Sequence, residues 1–96
     1  MFLGRVIGTV WSTKKDENLV GAKFLIVRQL DLNLKDKDSF VVAVDSVGAG
    51  ESEVVLVATG SSSRQTEITK NKPVDAVIMA IVDKLDIPLK EYLIEH

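Results

Sequence analysis

The stretch "DSVGAGESE", Asp45 to Glu53, can be read in two ways, and the choice decides the fold. As a phosphate loop it would open a helix and belong to an α/β protein. As a corner it would join two strands. A dinucleotide fingerprint needs a third glycine three residues after the second, and that position is Glu53. Glu51 and Glu53 would repel a phosphate, and no Gly-Lys-Ser/Thr follows to make a Walker loop. What does follow, "EVVLVATG" over 53–60, is a valine-rich strand and not a helix. The stretch therefore reads as a tight strand-to-strand turn with glycines at backbone angles that other residues avoid.

Working outward, strands flank it on both sides. "FVVAVDSV" (40–47) precedes it, "AKFLIVRQL" (22–30) lies upstream, and "MFLGRVIGTVWST" (1–13) starts the chain. Along that first strand Gly4, Val6, Gly8 and Val10 fall on one face and Leu3, Ile7 and Trp11 on the other. Small residues on one face let a strand curve or let another backbone approach. The segments 14–21 and 31–39 read as polar connections, the second a solvated loop of alternating Lys and Asp. After Gly60, Ser62 and Gln65 have the spacing of a capping box and predict a short helix; "ITKNKP" then forms a loop closed by Pro73. "VDAVIMAIVDKL" (74–85) fits a helix stripe through Ala76, Val77, Ala80 and Ile81. Its β-branched residues Val77, Ile78, Ile81 and Val82 favour a fifth strand. The expectation is an all-β chain: a five-stranded barrel resembling the oligonucleotide-binding fold, with one short α-helix, in a single domain over 1–87. The tail 88–96 reads equally as a helical turn begun by Pro88 or as a strand.

Composition adds a second expectation. The chain of 96 residues is 46% hydrophobic but only 5% aromatic, so its apolar content is mostly aliphatic. In a small barrel one face of each strand fills the core and the other meets water, so strands should alternate. The runs Phe24–Val27, Phe40–Val44 and Val54–Ala58 do not. Their outward faces need cover, which predicts an oligomer.

Most catalytic and binding chemistries lack their residues. The net charge of −2 argues against nucleic acid and anionic membrane as partners. The apolar N-terminus holds two glycines and an arginine and reads as a strand, not a signal peptide; no apolar run is long enough to span a membrane. With no cysteine there is no thiolate metal site, and one histidine, His96, leaves no transition-metal site of the usual kind. His96 is also the only base of its type for a serine nucleophile, and it is the last residue, so no triad forms. The "GSSSR" serines beside Arg64 could cradle an anion or simply cap the helix. Trp11, Phe24, Phe40 and Tyr92 are too few to stack single-stranded bases and read as core or interface residues. No catalytic residue, cofactor site or metal site is expected.

Taken together, "AVDSVGAGESEVVLVATGSSSR" followed by "PVDAVIMAIVD" resembles the EutN/CcmL family of bacterial microcompartment vertex proteins. The segment "GRVIGTVWSTKKDENLVGAKFLIV" is similar to that family's first two strands, with Thr13, Leu19, Gly21 and Lys23 at its characteristic positions. The resemblance runs from about Gly4 to Asp83 and is specific as an ordered combination. It implies a barrel subunit that forms a homopentamer at the vertices of a polyhedral shell in the bacterial cytoplasm, beside hexameric shell proteins. It implies a structural role without catalysis. Carried over, Asp45, Val47, Gly48, Ala49, Gly50 and Glu53 would lie at subunit contacts near the five-fold axis. Gly60, Ser61, Ser62 and Arg64 would form a second turn, with Arg64 donating several hydrogen bonds, some across the subunit boundary. The chain departs from the family at Ser52, where Gly is common, and at Ser63, where Ala is common. The alternative is a small binding module of the same fold for a nucleic acid or anionic metabolite. An enzyme built on the glycine loop lacks a base, a metal site and a phosphate signature.

Overall fold

The computed structural model of the protein describes residues 1–67, 69–70 and 74–87. Pro73, the tail from Pro88, Tyr92 and His96 lie outside the described residues. Five strands form: β1 (Phe2–Val10), β2 (Phe24–Leu30), β3 (Asp36–Asp45), β4 (Val54–Thr59) and β5 (Ala76–Ile81). They close into a barrel in the order β1-β2-β3-β5-β4. Every pairing is antiparallel except β3 with β5, which run parallel through Val44↔Val77 and Asp45↔Ile78. Closure leaves no open sheet edge. The segment that fitted either helix or strand is β5, as its β-branched residues required.

Inside the barrel Val6, Leu25, Val27, Ala43, Val55, Val57, Ala76 and Ile78 form one core. A smaller cluster of Val44, Ala58 and Val77 lies outside it, with Ala22, Phe24 and Val74 packed against it. It is the part of the outer sheet surface that the chain covers with its own loops.

Several expectations need correction. The Lys/Asp segment is not wholly a loop: β3 starts at Asp36, with Asp36 opposite Leu30. Its first residues are exposed, so alternating charge there marks a strand wet on both sides. The turn itself is confined to Asp31–Lys35. The Asp31 carboxylate accepts from the Asn33 and Lys35 amides at 2.8 and 3.1 Å, and Leu34 takes φ 62°.

The short helix after β4 is a 3-10 turn, Gly60–Arg64, capped at Thr59 without a side-chain bond. The capping box is not formed: Ser62 lies inside the turn, and its carbonyl accepts from the Gln65 amide at 3.3 Å. A second 3-10 turn, Glu17–Leu19, sits between β1 and β2, with Asp16 accepting from the Asn18 amide. No α-helix occurs among the described residues.

The simple alternation expected along β1 is broken by a bulge between Val6 and Gly8. Gly4 and Val6 face the core, whereas Gly8 pairs with the outward Ile26, and the bulged Ile7 is 49% exposed. Nor do Trp11 and Phe40 join the core; they are 89% and 61% exposed.

Candidate functional site

The loop from Ser46 to Glu53 joins two strands that are not neighbours, because β5 lies between β3 and β4. It is therefore not the tight hairpin corner expected from its glycines. It spans one end of the barrel, and Ala49 drops into the core, 1% exposed. Gly48 adopts φ 76°, a conformation open to glycine at little cost. Gly50 has another use: its amide donates to Glu53 Oε1 at 2.7 Å, and an added Cβ would stand 3.4 Å from that oxygen.

Four consecutive amides, from Val47 to Gly50, point inward along this loop. In a phosphate nest they would be free for an anion. Here the chain supplies the anions itself. Asp45 Oδ1 accepts from Val47, Gly48 and Ala49 at 3.1, 3.0 and 3.2 Å, and Glu53 takes the fourth. The acids that argued against phosphate in the sequence occupy the phosphate's place. Further bonds fix the loop to the barrel. Ser46 Oγ donates to the Ile78 carbonyl at 2.5 Å, the Ser52 amide to the Val6 carbonyl at 2.8 Å, and Arg5 Nη1 to the Ser52 carbonyl at 2.9 Å. Ser52 pays for its place with φ 68°, the left-handed region that an L side chain disfavours.

The second motif lies at the other end of β4, roughly 17 Å away by the rise of a strand, so the structure does not bring the two together. Gly60 turns the chain with φ 63°, and its amide donates to the Asp75 carbonyl at 2.9 Å. Gly60, Ser61, Ser62 and Arg64 are all exposed. Arg64 Nη1 donates to the Val74 carbonyl at 3.2 Å, within its own subunit. The buried residues that hold this turn are not among the four carried over from the family: they are Ser63, which the sequence marks only as a departure from the family, and Thr69, which it does not mark. Ser63 is fully buried and donates to the Gly60 carbonyl at 2.6 Å. Thr69, 1% exposed, donates to the Ser63 carbonyl at 2.5 Å and pairs with the Thr66 hydroxyl at 2.6 Å. The serine run alone does not mark Ser63 as the one that turns inward; the Ala common at that position in the family is the signal that could have.

In both loops these polar groups bond within the chain: the Val47 to Gly50 amides to Asp45 and Glu53, and the Ser63 and Thr69 hydroxyls to backbone carbonyls. Of the exposed apolar residues, Val47 lies in the first loop and Trp11 and Val20 in the connection after β1, while Ile7, Phe40, Val42 and Met79 lie on the outer sheet.

Comparison with known proteins agrees with this arrangement. The family described as ethanolamine utilisation protein EutN/carboxysome matches residues 1–83. The bacterial microcompartment shell vertex protein GrpN of Rhodospirillum rubrum is 46% identical over 86 residues, covering 90% of this chain and 97% of GrpN. Its solved structure, a pentameric microcompartment shell protein, superposes with a TM-score of 0.81 over 91% of this chain and 100% of that one. The structure of CcmL from Gloeobacter violaceus, 41% identical, superposes with a TM-score of 0.86 over 92% of this chain and 91% of that one.

Proposed function

The chain belongs to the EutN/CcmL family, and on that premise we infer that it is a structural protein of a bacterial microcompartment shell. It assembles as a homopentamer that caps the five-fold vertices and closes the polyhedral shell in the cytoplasm. A sheet tiled only by six-fold units stays flat, and five-fold units supply the missing curvature. The observation that carries this reading is the match, over 91% of this chain and 100% of the other, with a pentameric shell protein at 46% identity. The barrel fits the role: it is closed, and the Ser46–Glu53 loop and the turn after β4 are tied to it by internal bonds. Native mass spectrometry of the purified chain gives five subunits on this reading; a monomer, dimer or hexamer would refute it.

The function is geometric, and we assign the chain no catalysis, cofactor, nucleic acid or membrane partner. The amides that could have held an anion are occupied by Asp45 and Glu53. That also weighs against a binding module for an anionic metabolite. Hexameric shell proteins are the partners a vertex must meet. Mixing the pentamer with such a hexamer yields closed particles by electron microscopy, whereas the hexamer alone gives sheets or tubes.

Within the pentamer, Val47 and Gly48 are assigned to the neighbourhood of the five-fold axis. They are the exposed rim of a loop whose Asp45, Ala49, Gly50 and Glu53 hold its shape from within. Gly60, Ser61, Ser62 and Arg64 are assigned to a second contact with the neighbouring subunit, where Arg64 has further N–H donors to offer beyond the one given to Val74. The variant Val47→Cys then forms disulfide-linked subunits on oxidation, and Arg64→Ala weakens the ring. An unlinked Val47→Cys ring, or an Arg64→Ala ring of full stability, would remove the respective assignment.

A further inference from the structure

We propose that the ring closes head to tail through two specific sheet faces: the outer face of β2 and β3 on one subunit and the outer face of β4 and the start of β1 on the next. This rests on the pentamer reading above and goes beyond it by naming the surfaces. A ring of identical subunits needs two unlike faces that fit each other, because each contact joins the left side of one copy to the right side of another.

The register identifies the faces. On β2 and β3, Leu25, Val27 and Ala43 fill the core, so Ile26, Phe40 and Val42 point outward, with Ile26 directly opposite Val42. Phe40 and Val42 are 61% and 44% exposed. On β4, Val55 and Val57 fill the core, so Leu56 points outward; it pairs with Leu3 on β1 and Ala80 on β5, both partly exposed. In the barrel order, β1 separates β2 from β4 on one side and β3 with β5 separates them on the other. The two apolar faces therefore lie on different sides of the barrel, and a five-fold ring closes when they are inclined to each other rather than exactly opposed, since opposed faces would build an open filament.

Each face also carries a bulge that ejects one apolar side chain. Ile7 is the extra residue in β1 beside Gly8 and Ile26 and is 49% exposed. Met79 is the extra residue in β5 between the Leu56↔Ala80 and Val57↔Ile78 pairs and is 37% exposed. Bulges re-aim side chains, and neither residue is needed to fill the barrel. Arg28, opposite Phe40, is already engaged with the Lys37 carbonyl of its own hairpin, so it stands as a polar edge to the first face.

The experiment uses one charge on each face of the full chain. Phe40→Asp disables the first face and Met79→Asp the second; both sites are exposed, and circular dichroism checks that each variant folds. Alone, each variant is monomeric by native mass spectrometry at a concentration where the unmodified chain is fully assembled, a loss of association of more than about a hundredfold. Mixed, the two give a one-to-one dimer and nothing larger, because each contributes its one intact face. Phe40→Asp mixed with Val42→Asp stays monomeric, since both lack the same face. A folded Phe40→Asp or Met79→Asp that still forms the ring overturns the assignment, as does a failure of the complementary pair to dimerise. If Met79→Asp does not fold, Met79→Ser with its weaker association takes its place under the same criteria. An unmodified chain that forms a ring of another number, yet obeys the mixing rule, would refute the pentamer and leave the faces standing.

Discussion

The loop from Asp45 to Glu53 and the outer face of β2 and β3 treat their chemistry in opposite ways. In the loop, four amides that would attract a ligand are matched by two carboxylates of the same chain. On the sheet face, Phe40 and Val42 are apolar and stand uncovered by any part of the described chain. A glycine-rich loop draws attention as a site, yet it is the finished part of the subunit. The face, which has no motif at all, is the unfinished part. Function here lies where the fold leaves a requirement unmet.

The two glycines of β1 test that division most strongly. Gly4 faces the interior: a Cβ there would stand 2.3 Å from Val27 Cγ1 and 3.0 Å from the Arg28 carbonyl. Val27 is fully buried and has no room to move. Gly4→Ala should cost about 3 kcal/mol of subunit stability, read from urea unfolding. Gly8 faces outward, and its Cβ would meet Ile26 Cδ1 at an ordinary 3.6 Å. Gly8→Ala should change subunit stability by less than about 0.5 kcal/mol while altering assembly, because its methyl enters the proposed contact. Ring formation itself raises apparent stability with concentration. Both variants are therefore compared in the Phe40→Asp background, where only the subunit unfolds. Equal effects at the two glycines would dissolve the distinction between interior and face.

Asp45 tests the other side of the comparison. Asp45→Ala removes one oxygen that accepts three amides and leaves those donors at the closed end of the barrel. A cost of about 2 kcal/mol is expected, and Asp45→Asn, which keeps an acceptor, should recover part of it. Amide hydrogen exchange at Val47, Gly48 and Ala49 should quicken in Asp45→Ala. Unchanged protection there would mean that the backbone alone holds the loop.

Much of this was legible in the sequence, and the failures have a common cause. Strands were readable because β-branched residues cluster in them, and β5 was recognised over a competing helix stripe for that reason. The surplus of outward apolar residues was readable as a break in alternation along Phe40–Val44. What escaped depended on strand order. Because β5 inserts between β3 and β4, the loop after Asp45 had to span the barrel end; sequence adjacency suggested a hairpin. The two bulges escaped for the same reason, since a bulge is defined by a partner strand that local periodicity does not contain. Ser63 escaped because three serines in a row look alike until one of them is buried. Ser63→Ala removes one hydroxyl proton shared between the Gly60 carbonyl at 2.6 Å and the Val74 carbonyl at 3.3 Å and should cost about 1 kcal/mol, a smaller effect than Asp45→Ala, which strips three amides of their acceptor. A cost matching that of Ser62→Ala, which is exposed, would show the buried hydroxyl to be idle.

One effect runs the other way. Ser52 sits at φ 68°, outside the region that L residues prefer, and is exposed. Its backbone, not its side chain, is what the loop uses: the amide donates to Val6 and the carbonyl accepts from Arg5. Ser52→Gly keeps both bonds and removes the clash of Cβ with its own backbone, which costs on the order of 1–2 kcal/mol in this region. Against this, glycine has more freedom to lose on folding, by roughly 0.5–1 kcal/mol. The net expectation is a gain of about 0.5–1 kcal/mol in the Phe40→Asp background, seen as a higher midpoint in urea with an unchanged slope. The same substitution should leave the mixing of Phe40→Asp with Met79→Asp unaffected, because Ser52 lies on neither face. A gain in stability with no change in association separates the finished loop from the unfinished faces. A Ser52→Gly chain that associates differently would extend the loop's contact from the Val47–Gly48 rim to Ser52 and join it to the sheet faces.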